Sequence, residues 1–144
     1  MTRPCVFCAI VAGDAPASIV HGDDAVVAFM DIRPVNAGHV LVVPRQHAVS
    51  LLELDEETAG RMTAVGMRIA GALRASGVRF EGFNLFLANG EVAGQEVFHV
   101  HLHVTPRFAR DGFGLRFGPD YGRLAHRSDL DGLAQRVRRA GGWE

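Results

Sequence analysis

The chain has 144 residues, 48% of them apolar and 22% charged, with a formal net charge of −1. That length fits one domain with an ordinary core, and the near-neutral balance leaves no electrostatic footprint for a nucleic-acid partner. No apolar run is long enough to span a bilayer and Met1-Thr2-Arg3-Pro4 shows no leader pattern, so no membrane partner is expected and the expected compartment is the cytoplasm.

The two cysteines, Cys5 and Cys8, are spaced C-x-x-C. A disulfide, a redox pair and half of a metal site share that spacing. The redox reading wants a strand ahead of the pair, as in thioredoxin-like folds, and only four residues precede Cys5. A structural zinc would need two further histidine or cysteine ligands. Ile10 to Pro16 reads as a short helix or turn closed by Gly13 and Pro16. Ser18 to His21 reads as a short strand, Asp23-Asp24 as a turn, and Ala25 to Ile32 as the next strand. Asp31 sits near its end, where a terminating polar residue is ordinary. Pro34 to Gly38 is a loop, and His39 to Pro44 is a continuous apolar strand expected at the centre of a sheet.

From Asp55 to Ser76 the period changes. Ala59, Met62, Gly66, Ile69, Ala70 and Leu73 recur at three- and four-residue spacing, which predicts an amphipathic helix. Asp55 is placed to cap it, Glu56 and Glu57 suit its positive end, and Gly77 ends it. The methionines and alanines here are core packing.

Phe83 to Asn89 reads as a strand, and a loop from Gly90 to Gly94 joins it to the next one. The order predicts an antiparallel hairpin with Asn89 near its His99 end. In that next strand His99, His101 and His103 alternate with Val100, Leu102 and Val104. Alternation puts the three imidazoles on one face, successive ones about 6.7 Å apart along the strand, close enough to converge on a group the size of a phosphate. Three uses stay open on pattern alone. Imidazoles bind metals, attack or protonate a substrate, or decorate a surface. After Arg107 several glycines interrupt Phe113, Leu115, Phe117 and Tyr121. A closing helix is predicted from a Ser128 cap to Ala140, with Leu130, Leu133 and Val137 on one face and Arg136, Arg138 and Arg139 on solvated surface.

His99-Val100-His101-Leu102-His103-Val104 resembles the signature of the histidine triad family, His-φ-His-φ-His-φ with φ apolar. Asn89-Gly90, Gly94 to Phe98 and Pro106-Arg107 extend the likeness, as do Ala28 to Pro34, Gly38 to Pro44 and His47. The resemblance implies an α+β fold, a five-stranded antiparallel sheet with two main helices, usually as a homodimer. It places the family domain over residues 1–110, with 111–144 as a tail bearing a short helix within the same domain. It also implies cleavage of a nucleoside 5′-monophosphoryl group, most simply from an adenosine phosphoramidate, through a nucleotidyl-histidine intermediate. His101 would be the nucleophile, with His99 and His103 positioning it and binding phosphate. Asp31 would accept the ribose hydroxyls, and His39 would stand beside the triad as a supporting histidine. Asn89 and Gln95 would orient ribose or phosphate oxygens, and Phe7, Phe29 and Ile32 would line the base pocket. The substrate expected is a purine nucleotide containing adenosine.

The same resemblance supplies the missing zinc ligands, giving Cys5, Cys8, His47 and His99 as a structural site. His99 then serves both groups, which its two ring nitrogens permit. Phosphorus chemistry suits the residues. Neutral imidazole is nucleophilic near pH 7, a covalent intermediate divides one hard displacement into two, and no acidic cluster of the kind magnesium prefers is present, so the chemistry is expected to need no cofactor. One departure bears on the leaving group. Glu96 stands where the phosphoramidase branch commonly has a small hydroxyl residue, and its carboxylate would repel a polyphosphate. Dinucleoside polyphosphate hydrolysis, a non-catalytic nucleotide-binding module and a tri-histidine metalloenzyme are the alternatives.

Overall fold

Three apolar runs dictate the centre of the molecule. Val26–Met30 (β2), Val40–Pro44 (β3) and Leu102–Arg107 (β5) are rich in β-branched and aliphatic residues, the composition of strands covered on both faces. The computed structural model describes residues 4–143, so the expected lack of a leader at Met1–Arg3 lies outside it. With Ile19–Gly22 (β1) and Gly82–Phe86 (β4) at the edges, the strands form one antiparallel sheet in the order β1-β2-β3-β5-β4. The α+β fold with a five-stranded antiparallel sheet is as expected.

Alternation along the strands divides the core. Val26, Ala28, Val40, Val42, Leu102 and Val104 turn to one face, against Met62, Val65, Ile69, Ala70 and Leu73 of Glu56–Ala75 (α2). Asp55 caps that helix by accepting from Thr58 N at 2.6 Å. Gly66 is there for closeness: a Cβ would come within 3.1 Å of the Leu102 side chain. Each fully buried aliphatic on this face is worth about 1.5–3 kcal/mol. Val27, Phe29, Leu41 and Val43 turn to the other face and pack with Phe7 of Val6–Ala12 (α1). This first helix begins earlier than expected. Cys5 is its cap and accepts from Cys8 N, and Gly13, at φ 82°, ends it in the left-handed conformation.

Several strands are shorter than their sequence patterns, and two of them bear on the site. β4 stops at Phe86, opposite His103, instead of running to Asn89. β5 starts only at Leu102, because Val100 N–H is given to Ala48 O at 2.8 Å and not to a ladder partner. His99, in a bend, and His101 therefore lie outside the sheet.

The chain divides into two compact units, Met1–Phe113 and Gly114–Glu144. Arg107 accounts for where the first one ends. Its guanidinium holds Asp111 at 2.6 and 2.9 Å, Asn84 at 2.6 Å and the Phe113 carbonyl, tying the segment after β5 back onto the sheet. In the second unit Phe117 and Tyr121 stack with centroids 3.8 Å apart, and Arg127–Gly141 (α3) starts after His126, which makes no side-chain cap bond, rather than after Ser128. Leu130, Leu133 and Val137 are all exposed along it. Among the described residues no helix is long and apolar enough to cross a membrane.

Candidate active site and metal centre

The face of the sheet that carries α1 also carries the histidines. His103 lies opposite Leu41 in the β3–β5 ladder, and the bend ahead of β5 turns the other two members of the triad along different paths. The three rings do not converge on one point. His101 and His103 stand edge to face with centroids 4.9 Å apart, whereas His99, fully buried, points its ring at Cys5, Cys8 and His47.

Backbone partners settle which nitrogens carry protons. His101 Nδ1 lies 2.7 Å from the His99 carbonyl, and a carbonyl only accepts, so His101 is protonated at Nδ1 and its neutral form presents a lone pair at Nε2. His39 Nδ1 lies 3.1 Å from the Val35 N–H, which only donates. The His39 proton is therefore on Nε2 and is given to His103 Nδ1 at 2.8 Å. That leaves the His103 proton on Nε2. The pair thus offers opposite ends to a substrate: a lone pair from His101 and an N–H from His103. Burial, reinforced by neighbouring His101, pushes His103 down to about 4, and burial lowers His39 as well despite Asp31 nearby. Both are neutral at pH 7.

The second group has a different character. The Sγ atoms of Cys5 and Cys8 and the Nδ1 atoms of His47 and His99 all lie within 4.8 Å of one another. The close separations are 3.4 Å from Cys5 to His99, 3.3 Å from Cys8 to His47, 3.6 Å from Cys8 to His99 and 3.3 Å between the two histidines. His99 Nε2–H is given to the Pro44 carbonyl at 2.8 Å, so its Nδ1 is a lone pair facing the sulfurs. Bond lengths of about 2.3 Å to sulfur and about 2.0–2.1 Å to nitrogen place tetrahedral donors about 3.3–3.8 Å apart. Two sulfurs and two nitrogens at the observed separations fit zinc. Asp31, His39 and His103 also lie close together, but the proton shared between His39 and His103 already joins them. A tri-histidine metal site is excluded, because His99 faces away from the other two.

The HIT domain model matches residues 12–110, more than half of the chain. The chain belongs to the HIT family. A crystal structure of a HIT family protein from Bacillus subtilis superposes with a TM-score of 0.86 at 36% identity, covering 95% of this chain and 96% of that one. A Zn-bound histidine triad family protein from Mycobacterium smegmatis is 46% identical, with a TM-score of 0.74 over 92% of this chain and 97% of that one. In sequence, the adenylylsulfatase HINT3 of Arabidopsis thaliana is 36% identical over 77% of this chain and 56% of its own length.

The remaining positions matched to the HIT pattern divide into those that face the site and those that build it. Asp31 accepts from Arg33 N at 2.8 Å through one oxygen and holds the other 3.6 Å from His39 Nε2, partly open to solvent. Ile32 is 92% exposed, free to cover a base, whereas Phe29 and Phe7 are buried walls. Asn89 is exposed and accepts from Leu51 N at 2.6 Å and from the Ser50 hydroxyl at 3.2 Å, so its carbonyl fixes the chain after β3. Gln95 departs from expectation. It is 3% exposed, accepts from Gly90 N and donates to the Val49 and Val97 carbonyls. Both ends of its amide are spent inside the protein, so it braces the loop and does not orient a substrate oxygen. His99 likewise has no free nitrogen for phosphate, and acts on His101 through its carbonyl. The Val35 N–H and the Pro44 carbonyl went unnoticed in the sequence, since backbone groups leave no mark there. Phe86, 5.9 Å from the His103 ring, did leave one, as an aromatic in the strand of the predicted hairpin.

Proposed function

We propose that the chain cleaves a nucleoside 5′-monophosphoryl group from a small leaving group through a nucleotidyl-His101 intermediate. The carrying observation is the opposed protonation of His101 and His103, fixed by the His99 carbonyl and the Val35 N–H. His101 Nε2 attacks phosphorus, the N–P bond forms, and the bond to the leaving atom breaks as that atom takes a proton from solvent. The His103 Nε2–H binds a non-bridging oxygen where charge accumulates. The imidazolium formed at His101 keeps its Nδ1–H on the His99 carbonyl. Water then attacks phosphorus, the N–P bond breaks and the water gives a proton back to solvent, releasing the nucleoside monophosphate and restoring neutral His101.

Adenosine is the nucleoside we propose, with Asp31 on the ribose hydroxyls and Ile32 over the base. Zinc bound by Cys5, Cys8, His47 and His99 would cross-link α1 to the histidine segment and to the chain after β3. A homodimer is supported by the β4 edge, where Phe83, Leu85 and Phe86 are 45%, 38% and 45% exposed beside an open strand ladder. Glu96 lies 3.7 Å from Arg33, so the carboxylate on the leaving-group side has a cation next to it. That pairing weakens the case against anionic leaving groups, and the Arabidopsis adenylylsulfatase makes adenylyl sulfate the second substrate to try.

The deciding experiment exposes one preparation to adenosine phosphoramidate, adenylyl sulfate and a diadenosine polyphosphate, then measures intact mass after rapid quench. One adenylyl group added to the wild type and absent from His101→Ala, with AMP released fastest from the phosphoramidate, is the expected result. Turnover of the diadenosine polyphosphate alone would reverse the substrate order. Binding of AMP without turnover of any of the three would make the chain a nucleotide-binding module.

A further inference from the structure

Helix α1 places a wall residue between two metal-ligating ones: Cys5 caps it, Cys8 lies in its first turns and Phe7 sits between them. The Phe7 ring is buried and stands edge-on to three others. It meets His101 at 5.3 Å and 82°, His99 at 5.9 Å and 72°, and Phe29 at 5.4 Å and 66°. The helix is seven residues long, far below the length at which a helix holds itself together in water. What fixes it is Phe7 and its neighbours on the sheet, together with the sulfurs.

His99 makes the second connection. Its ring is immobilised at both nitrogens, Nδ1 within the sulfur–nitrogen group and Nε2 on the Pro44 carbonyl. A ring held at both ends fixes its own backbone. That backbone supplies the carbonyl 2.7 Å from His101 Nδ1. A bond to any of the four ligands is thus a bond to the frame of the nucleophile.

We propose that Phe7 and His99 are positioning residues through which metal ligation at Cys5, Cys8, His47 and His99 orients the His101 ring. With the group closed, Phe7 blocks rotation of His101 from one side and the His99 carbonyl selects its Nδ1–H form. With the group open, α1 loosens, Phe7 withdraws, and His101 samples both rotations and both neutral forms. The effect falls on kcat, because it concerns the aim of Nε2 and leaves Asp31 and Ile32 in place. The kinetic consequence rests on the function proposed above; the ring geometry does not.

Two measurements keep these apart. Long-range ¹H–¹⁵N spectra of ¹⁵N-histidine-labelled protein report the protonated nitrogen of His101 without any turnover. Zinc-replete protein is expected to show His101 as the Nδ1–H form alone, and protein stripped by a chelator a mixture, while methyl signals of Val42 and Ile69 stay put. Phe7→Leu, tested at full zinc content, is expected to show the same mixture of His101 forms and to lose about tenfold to a hundredfold in kcat, and Phe7→Tyr to restore most of both. An unchanged His101 form after zinc removal overturns the proposal, as does wild-type kcat in Phe7→Leu. If the stripped chain unfolds as a whole, the zinc-loaded Phe7→Leu variant decides, by its His101 spectrum and its kcat. Should no substrate be turned over at all, the Phe7→Leu spectrum still decides, and only the function has failed.

Discussion

The two histidine clusters of this protein lie within one ring of each other and are ordered by opposite means. Around His39, His101 and His103 every resolved contact sets a donor against an acceptor: Val35 N–H to His39, His39 to His103, His101 to the His99 carbonyl. Such a set is complete as it stands. Around Cys5, Cys8, His47 and His99 the inward nitrogen of His99 is a lone pair and the other donor atoms crowd toward it. Burial together with Cys5 pushes the Cys8 thiol up, so Cys8 holds its proton until a cation displaces it. Burial holds His39 and His103 in the first cluster, and His99 in the second, below the usual imidazole range. His101 and His99 each give the far N–H to a main-chain carbonyl, and what faces the other nitrogen, open space or the two sulfurs, separates reagent from ligand.

Breaking the reagent side has the largest expected effect. His101→Ala lowers kcat by more than about 10³-fold while AMP affinity, measured by titration calorimetry, changes little. An equal loss in His99→Ala at unchanged zinc content would erase the distinction between the clusters. Next comes the ligand side. Cys8→Ser is expected to bring zinc, measured by elemental analysis, well below one per chain and to lower Tm by about 10 °C. A full zinc complement in that variant would remove Cys8 from the set. A smaller effect is expected from His39→Phe, which deletes the donor to His103 Nδ1. With the protonated nitrogen of His103 no longer dictated, kcat falls about tenfold and zinc content does not move.

Acid sharpens the same contrast most gently. A histidine in the unfolded chain titrates near 6.5, and folded His103 is held down to about 4, so between these values the unfolded state binds more protons. Its contribution to stability is complete above about pH 6.5 and is lost as pH falls toward about 4; His39 shifts the same way. Urea midpoints across that range in wild type and His103→Gln are expected to converge at the acid end. Parallel curves would mean that His103 is not buried as a neutral ring.

Much of this arrangement was legible before any coordinates. Continuous apolar runs at 25–32 and 39–44 marked the inner strands, and the period from Asp55 to Ser76 marked α2 within a residue of its observed ends. The alternation of the histidines was legible and led too far. It implied a single strand with three rings on one face, but Val100 bonds to Ala48 outside the ladder, and the rings of His99 and His101 part there. The start of α1 was hidden for a related reason: Cys5 caps the helix through sulfur, whereas the usual signal is an oxygen-bearing side chain. Gln95 was read as a substrate contact because its amide suits one. Only burial distinguishes an amide that faces a ligand from one that braces a loop.

The chemical form of both reacting histidines is fixed by main-chain atoms, the His99 carbonyl and the Val35 N–H. Hardly any exchange of a side chain can delete those atoms; at position 35 only proline would. Substitutions at Ile32, Arg33 and Glu96 on the rim would change what the site grips and leave those main-chain atoms untouched. Under the proposed function, a site built this way could exchange one leaving group for another at its rim while the contacts that set His101 and His39 stay in place.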